Sequence, residues 1–258
     1  MKILAVGDVV GADAVRFLKE NLRKTIKNLG VDLTVVNGEN AADIKGISRA
    51  DVADLFKAGA DVITTGNHAF GQRDCYSTLD DEKYLLRPDN FPGGAPGHGS
   101  VIINAAGQRV LVMNLQGNVS MHVALSSPFA AADAILKRES GKYDVAVLDF
   151  HAEATSEKQA MGRYLDGRVD AIFGTHTHVQ TNDARILNGG TGFITDIGMC
   201  GPVDSIIGVK SELVINKFRT MLPTRFEVAE GPISVNGAVF EVNLDKKACQ
   251  KVLKYVKN

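Results

Sequence analysis

The sequence predicts an α/β domain in which mixed β-sheets are covered by helices. Short β-branched apolar runs alternate with polar or glycine breaks and with helical periods along the chain. Two neighbouring runs, residues 101–104 and 110–114, have the spacing of a hairpin, so the sheets are expected to be mixed rather than purely parallel. No linker rich in Pro, Gly or Ser divides the chain, and we expect one domain over residues 1–258.

The first part of the chain predicts three strands and two helices. Residues 3–6, 33–36 and 62–65 are apolar runs of strand length. Over residues 11–29, apolar side chains recur every three or four positions, which is the period of one helical face. Ser48 then has the chemistry of a helix N-cap, and the apolar positions that follow it predict the second helix.

The rest of the chain continues the pattern. Residues 129–139 and 210–220 predict helices, and the runs at 145–148, 171–173 and 193–195 predict buried strands. The remaining expectations are closing strands at residues 225–229 and 238–244 and a surface loop at residues 88–99.

Composition narrows the class of protein. Lys and Arg number 29 against 30 Asp and Glu, so no general basic field holds a long polyanion; a stable nucleic-acid partner is not expected, although nucleic acid remains open as a substrate. The first apolar run is too short for a signal peptide, and none approaches the roughly 20 residues of a membrane helix. Cys75, Cys200 and Cys249 are scattered, which favours a reduced, cytoplasmic protein without a membrane partner.

Polar side chains follow five of the predicted strands at the point where each strand ends. Because ligands of open α/β sheets bind at the carboxyl ends of the strands, we expect these side chains to converge. Taken singly, each has a purely structural explanation, such as a helix cap, a turn or a semi-buried histidine. The residues are Asp8, Glu39, Asn40, Asn67, His68, His151, His176 and His178.

The pair His176 and His178 is the hardest part of this pattern to explain structurally. Residues two apart in an extended segment point to the same side, so both imidazoles are expected to face one point. With His68 set aside, the group offers three imidazoles, two carboxylates and two amide oxygens. These donors suit iron, manganese, zinc or cobalt better than calcium or magnesium. Seven ligands exceed the needs of one ion, whereas two ions about 3.5–4 Å apart would share them through a carboxylate.

These motifs resemble the calcineurin-like metallophosphoesterase superfamily. The matching segments are Gly7-Asp8, Gly38-Glu39, Gly66-Asn67-His68, His151 and Gly174-Thr175-His176-Thr177-His178. The resemblance implies a four-layer α/β/β/α arrangement. Two departures occur: Val10 stands where the superfamily has a histidine, and Glu39-Asn40 stands where it has an aspartate. With both departures, the chain is similar nearly end to end to the bacterial YmdB-type phosphodiesterases.

This narrower resemblance implies a role for each residue. Glu39 would bridge two metals, iron being the first expectation and manganese or zinc also fitting, and Asn40 would replace the histidine missing at Val10. Hydroxide activated by the metals would hydrolyse small phosphodiesters, with 2′,3′-cyclic nucleotides as the first substrates, and His68 would act as general acid. One metal would take Asp8, Asn40 and His178, and the other Asn67, His151 and His176.

Several alternatives stay open at the level of sequence. The same ligands would serve a phosphomonoesterase or a nuclease, or a metal-binding regulatory protein in which catalysis is secondary. His68 could instead orient a ligand through a hydrogen bond, while Glu153 and Asp196 are candidates for orienting histidines. His98 and His122 are interpreted as surface residues, although a loop beside the site could contact substrate. The sequence leaves the oligomeric state open, and a homo-oligomer is compatible with it.

Overall fold

The computed structural model describes residues 1–245 and 248–257, which form two β-sheets flanked by helices; Lys246, Lys247 and Asn258 of the expected domain lie outside the described residues. In chain order the strands are β1 (Lys2–Val6), β2 (Asp8–Val9), β3 (Leu33–Asn37), β4 (Val62–Thr64), β5 (Leu85–Leu86), β6 (Ser100–Ala105), β7 (Gln108–Gln116), β8 (Val145–His151), β9 (Ala171–Thr175), β10 (Arg185–Ile186), β11 (Gly192–Ile194), β12 (Met199–Pro202), β13 (Ile233–Asn243) and β14 (Ala248–Lys257). The α-helices are α1 (Gly11–Leu29), α2 (Arg49–Ala58), α3 (Tyr76–Asp81), α4 (Pro128–Arg138), α5 (Thr155–Leu165) and α6 (Ser211–Thr220), and a 3₁₀ turn covers Arg73–Cys75.

Both sheets mix parallel and antiparallel pairs, as the sequence predicts. The first sheet has the order β2-β12-β13-β1-β3-β4-β5, with β14 added to β13. Strands β1, β3, β4 and β5 run parallel, and β13 runs antiparallel to β1. The second sheet has the order β10-β11-β9-β8-β7-β6, in which β7, β8, β9 and β11 are parallel and the two edge strands are antiparallel.

The apolar faces of the elements stack these sheets into four layers. Helices α1 and α2 cover the outer face of the first sheet, where Leu18 packs in one cluster with Leu4 and Val6. Helices α4 and α5 cover the outer face of the second sheet, where Met161 packs in one cluster with Phe150. The inner faces share a third cluster, so the α/β/β/α arrangement is confirmed. Members of that cluster from the two sheets are Ile3, Ala5, Val35, Val112, Val147 and Phe173.

Local chemistry accounts for the element ends nearest the site. Ser48 caps α2 as predicted: its hydroxyl accepts from the amide of Asp51, whose carboxylate accepts from the amide of Ser48. Along β1, Ile3 and Ala5 face the second sheet while Leu4 and Val6 face α1, which is the strand alternation that a sheet covered on both faces requires.

One sequence-based expectation needs correction, and one helix lies outside the predicted elements. Residues 225–229 do not form a strand; Val228 makes an isolated bridge with Val209, and the surrounding segment is largely exposed. Helix α5 is not among the predicted helices, and its buried face contains Glu157 and Lys158 beside Met161. Within the described ranges, no helix is both long enough and apolar enough to cross a membrane.

Candidate metal centre

The polar residues singled out in the sequence meet where the two sheets present their carboxyl ends side by side. Strands β1, β3 and β4 deliver their residues from the first sheet, and β8 and β9 deliver theirs from the second. The five predicted strands are therefore all present, but they are divided between two sheets. The convergent edge is a cleft between sheets rather than the edge of one sheet.

His151 lies at the centre of this group. It is fully buried, and its Nε2 lies 3.0 Å from Glu39 Oε1, 3.0 Å from Asn67 Oδ1 and 3.1 Å from His176 Nδ1. Its other nitrogen, Nδ1, lies 2.9 Å from the hydroxyl of Thr175. Four side chains from four strand ends thus direct atoms that carry lone pairs toward one point. Glu39, His151 and His176 have the mutual spacing of a group that could hold a metal ion.

A second group adjoins the first around Asp8. Asp8 is fully buried, and its Oδ1 lies 4.0 Å from His178 Nε2 and 3.8 Å from His151 Nδ1. His178 Nε2 also lies 3.2 Å from Nδ2, the side-chain amide nitrogen of Asn40. Val10, the position where the superfamily has a histidine, is buried, and its backbone pairs with Asn40 in an isolated bridge. This pairing places Asn40 beside the position of the missing histidine, where its expected role as a replacement requires it to be.

The charges of this cleft fit a bound cation. Asp8 Oδ1 is buried and has no hydrogen-bond partner among the described residues. In the same part of the chain, only histidines form ion pairs with Asp8 or Glu39. Since no Lys or Arg pairs with these two buried carboxylates among the described residues, protonated histidine or a bound cation must compensate their charge, because an uncompensated buried charge is strongly destabilising. A metal ion would supply that charge.

The pKa values follow from the same crowding. Burial raises the pKa of Asp8 to about 6, against the lowering effect of His178 and His151. Burial also opposes ionisation of Glu39, but His151 and His68 outweigh it and lower the pKa of Glu39 to about 2. Burial and the neighbouring His151 lower the pKa of His176 to about 3, so at neutral pH its ring keeps the lone pairs that metal binding requires.

His68 lies beside the group rather than at its centre. Its backbone amide donates to Glu39 Oε2 at 3.1 Å, and its ring Nδ1 lies 2.9 Å from Asn40 Oδ1 and 3.5 Å from Glu39 Oε1. Burial lowers the pKa of His68 below its ordinary value, and the charge of Glu39 offsets only part of this effect. The side chain is about one third exposed, so one edge of the ring faces the cavity.

The turn that carries His176 and His178 differs from the extended segment that the sequence suggests. Strand β9 ends at Thr175, and the two histidines have φ angles of 101° and 65°. Non-glycine residues rarely adopt this region, so the backbone is strained here. Both rings do face the cleft, but a left-handed turn brings them there rather than the alternation of a strand.

A buried polar network lies directly beneath the histidines. Asp149 accepts hydrogen bonds from the hydroxyls of Thr64 and Thr175, the latter at 2.7 Å, and from the amide of Asn37 at 2.9 Å. Thr175 in turn contacts His151 Nδ1, and Asn37 Oδ1 accepts from the backbone of Glu39. Asp149 therefore connects its own strand, β8, to β3, β4 and β9, and it positions a histidine and a carboxylate of the candidate centre.

A second buried contact holds the turn itself. Asp196 Oδ2 accepts from Lys158 Nζ at 2.6 Å and from both the backbone amide and the hydroxyl of Thr177. Thr177 lies between the two histidines, so Asp196 fixes the turn and does not orient a ring directly, which differs from the expectation based on sequence. Glu153 does contact a ring, because its Oε2 lies 3.1 Å from His176 Nε2. We refer to Asn37, Thr64, Asp149, Lys158, Thr175 and Asp196 as the buried support.

Sequence reasoning missed most of the buried support, although a signal was present. Asp149 lies two residues before His151 on β8, so both side chains point to the same side of the strand. Thr175 directly precedes His176. Asn37 and Lys158 gave no such signal, because their partners come from distant parts of the chain.

Gly66 allows the two sheets to approach each other at the site. A methyl group at this position would lie 2.2 Å from the His151 ring and 2.3 Å from Glu39 Oε2. Any larger residue would therefore push the histidine and the carboxylate apart. The glycine before Asn67 is a packing requirement of the centre.

A cavity of about 360 Å³ opens over the group. Its polar floor includes Glu39, His68 and His176. Part of its wall is apolar and includes Val10, together with four residues that the sequence did not associate with the site: Ile44, Ile207, Val209 and Phe226. A cavity with an apolar wall and a floor of residues that could hold a metal ion suits a ligand with one anionic and one apolar part.

Comparisons with known proteins agree with this arrangement. The model of the YmdB-like protein family matches residues 4–255. The 2′,3′-cyclic-nucleotide 2′-phosphodiesterase of Bacillus subtilis (strain 168) is 44% identical over 252 residues, which cover 98% of this chain and 95% of that protein. A solved structure of a hypothetical protein from Thermus thermophilus superposes with a TM-score of 0.93 at 37% identity, covering 100% and 99% of the two chains. A phosphatase from Mycoplasma pneumoniae superposes with a TM-score of 0.93 at 34% identity, covering 100% and 93%.

Proposed function

The chain belongs to the YmdB-like family, and from this premise we propose that it is a dinuclear-metal phosphodiesterase that hydrolyses 2′,3′-cyclic nucleotides. The observation that carries the proposal is the convergence of Glu39, Asn67 and His176 on His151, beside the unpartnered oxygen of Asp8. The related Bacillus protein has this activity in its name, and the phosphatase from Mycoplasma pneumoniae shares the fold.

In this proposal the candidate centre holds two transition-metal ions, iron first, with manganese or zinc also fitting the donors. Bound there, the ions would neutralise phosphate charge and lower the pKa of a water molecule. Glu39, which contacts His151 and His68, would serve both ions. The other proposed ligands are Asp8, Asn40 and His178 for one ion, and Asn67, His151 and His176 for the other.

His68 is the proposed general acid. Its Nδ1 is occupied by Asn40 Oδ1, which leaves Nε2 as the atom that can hold a proton for the substrate. When the bond between phosphorus and a ribose oxygen breaks, that oxygen takes the proton from Nε2 and leaves as a hydroxyl. Water supplies the oxygen that replaces it on phosphorus and releases one proton to solvent. The imidazolium of His68 becomes a neutral imidazole and takes up a proton from solvent before the next turnover.

The remaining residues keep the reacting groups in place. The carboxylate of Glu39 accepts a hydrogen bond from the backbone amide of His68. This bond couples the position of the proposed general acid to that of the proposed bridging carboxylate. Asp149 and Thr175 hold the ring of His151 in one orientation. The apolar wall, including Ile44 and Phe226, excludes water from one side of the cavity and offers a surface for a nucleobase.

The test measures metal content and turnover in the same preparations. Protein purified without added metal should approach two transition-metal ions per chain and should open 2′,3′-cyclic AMP. His68→Ala should keep its metal while turnover falls by about 10²-fold or more, the typical contribution of a general acid. His98→Ala is the matched control, because the ring of His98 lies outside the site, where its Nε2 contacts the backbone oxygen of Lys83.

The outcomes separate the components of the proposal. Full activity of metal-free protein would remove the metals from the reaction. Undiminished turnover in His68→Ala would remove only that histidine. If 3′-AMP is hydrolysed as well as the cyclic nucleotide, the phosphomonoesterase alternative replaces the diesterase.

A further inference from the structure

A second cavity adjoins the candidate metal centre. It has a volume of about 610 Å³, within the range of about 300–1,000 Å³ that small-molecule sites occupy. It shares Ile44, Lys45, His68 and Phe226 with the first cavity, so a ligand with its reacting group beside His68 can extend into it. Its other lining residues include His122, which had no motif context in the sequence.

The charge of this second cavity differs from that of the protein as a whole. The chain has a net charge of −1, yet Lys45, Lys217 and Arg225 line the cavity against one carboxylate, Asp43. Throughout residues 1–245 and 248–257, none of these three cations has an ion-pair partner within 4 Å, whereas nearby Lys210 is paired with Glu227. Clustered cations without carboxylate partners are the local signature of an anion site.

Phe226 lies where the two cavities meet. Its ring is partly buried, and Lys217 Nζ lies 4.8 Å from the ring centroid. An aromatic face beside cations is the combination that proteins use to bind single-stranded nucleotides, because bases stack on the ring while phosphates pair with the cations. The second cavity therefore has the chemistry of a nucleotide subsite and not only of a general anion site.

The substrate of the proposed function leaves this subsite without an anion. A 2′,3′-cyclic mononucleotide has one phosphate, and that phosphate must lie beside Glu39 and His151 to react. Its 5′ oxygen bears only hydrogen, so nothing negative remains for Lys45, Lys217 and Arg225. A second phosphate on the 5′ oxygen would supply the missing charge.

We propose, on the basis of the proposed function, that the second cavity binds a phosphate attached to the 5′ oxygen of the nucleotide whose cyclic phosphate is opened. The substrate class is thus the end of an RNA chain terminated by a 2′,3′-cyclic phosphate, or a free nucleoside with both a 5′-phosphate and a 2′,3′-cyclic phosphate. The shared chemistry is the second phosphate. Such binding is transient and agrees with the lack of a general basic field over the chain.

The experiment compares kcat/KM for three substrates with the metal-loaded protein. They are 2′,3′-cyclic AMP, its 5′-phosphorylated form, and the dinucleotide ApA with a terminal 2′,3′-cyclic phosphate. We expect the substrates with a second phosphate to be preferred by about tenfold, since charge-assisted contacts of this kind are each sufficient for that factor. A gain for the phosphorylated mononucleotide alone identifies a free nucleotide as the source, and a gain for the dinucleotide identifies an RNA end.

The variant Lys217→Gln with Arg225→Gln tests which residues cause the preference. The ratio of kcat/KM between the dinucleotide and 2′,3′-cyclic AMP should fall toward one. The control is Lys24→Gln with Lys27→Gln, which changes the net charge equally on the exposed face of α1 and should keep the ratio. Raising the salt concentration should also reduce the ratio in the unmodified protein, which needs no variant.

Two results would overturn the inference. One is an equal kcat/KM for the substrates with one and two phosphates, and the other is a preference that survives in the Lys217 and Arg225 variant. In both cases 2′,3′-cyclic AMP is still hydrolysed, so the proposed function stands. If none of the three substrates reacts, the proposed function itself has failed.

Discussion

Two lysine–carboxylate pairs flank the candidate metal centre and differ mainly in their exposure. Lys158 contacts Asp196 at 2.6 Å within the buried support, and both side chains are about 1% exposed. Lys210 contacts Glu227 at 2.8 Å at the edge of the cavity, and the side chains are 31% and 58% exposed. The first pair holds the turn of the two histidines, and the second helps to hold residues 221–230, which we call the rim segment.

The difference separates a rigid part of the site, the buried support, from the rim segment, through which a ligand can enter the cavity. The buried support is enclosed, and Asp196 has six further hydrogen bonds, to Thr177, Gly198 and Thr181. The rim segment is joined to the neighbouring loop by a few contacts, among them Lys210 N to Glu227 O and Ala229 N to Gly208 O. Reacting groups need fixed positions, whereas the wall of a substrate cavity must admit and release its ligand.

The largest expected effect comes from breaking the buried pair. In Lys158→Met, the carboxylate of Asp196 remains buried without its cation, and such a loss costs about 3–5 kcal/mol of unfolding free energy. The strained turn at His176 and His178 should loosen at the same time, so metal content should fall. Urea unfolding followed by circular dichroism and elemental analysis of the same samples measure both effects.

A second substitution separates charge from packing. Adding Asp196→Asn to Lys158→Met removes the unpaired charge and should recover part of the lost stability. A Lys158→Met protein as stable as the unmodified chain would contradict the view that the buried support is a coupled unit.

The next largest effect is expected from a substitution that changes the packing at the candidate centre without changing its charge. Gly66→Ala would place a methyl group within 2.3 Å of Glu39 and His151, so the candidate centre must open. Overpacking of this kind costs about 1–3 kcal/mol, and misplacing reacting groups by about 1 Å can lower turnover by about 10²-fold. We expect a loss of bound metal and turnover that exceeds the loss of stability, measured by elemental analysis, kinetics and urea unfolding.

The control for this change is Gly93→Ala. A methyl group there meets nothing within 4 Å, so metal content and turnover should stay unchanged. If Gly66→Ala binds metal as the unmodified protein does, the close approach of the two sheets at Gly66 is not required by the centre.

Much of the fold could be predicted from the sequence because its signals are local. The period of residues 11–29 is helical, and the β-branched runs that became β1, β3, β4, β8 and β9 are strands for reasons contained within each run. The polar residues follow the carboxyl ends of these strands, so their convergence could be inferred from the parallel arrangement of the strands. Helix α5 was missed because Glu157 and Lys158 occupy its buried face, where only distant partners make their charges acceptable.

The residues of the candidate site also divide into those that local sequence signals predict and those that depend on distant partners. The convergent residues lie in short motifs beside strand ends, so the sequence alone could identify them. Their roles as metal ligands stay predictions. Lys158 and Asn37 act through residues far along the chain, and no local pattern shows which carboxylate each will meet. The rim segment is the extreme case: residues 225–229 have strand-like composition, yet they form no strand, and Phe226 lines the cavity.

The smallest expected effect repeats the same substitution at the exposed pair. In Lys210→Met, Glu227 stays in water, so no buried charge is created and the urea midpoint should be indistinguishable from that of the unmodified protein. The rim segment loses one of its contacts, so the effect should appear in KM for 2′,3′-cyclic AMP, with kcat and metal content unchanged. Glu227→Gln should behave alike, and the double variant should add nothing further. A stability loss as large as that of Lys158→Met would contradict the contrast between the two pairs, because exposure would then not distinguish them.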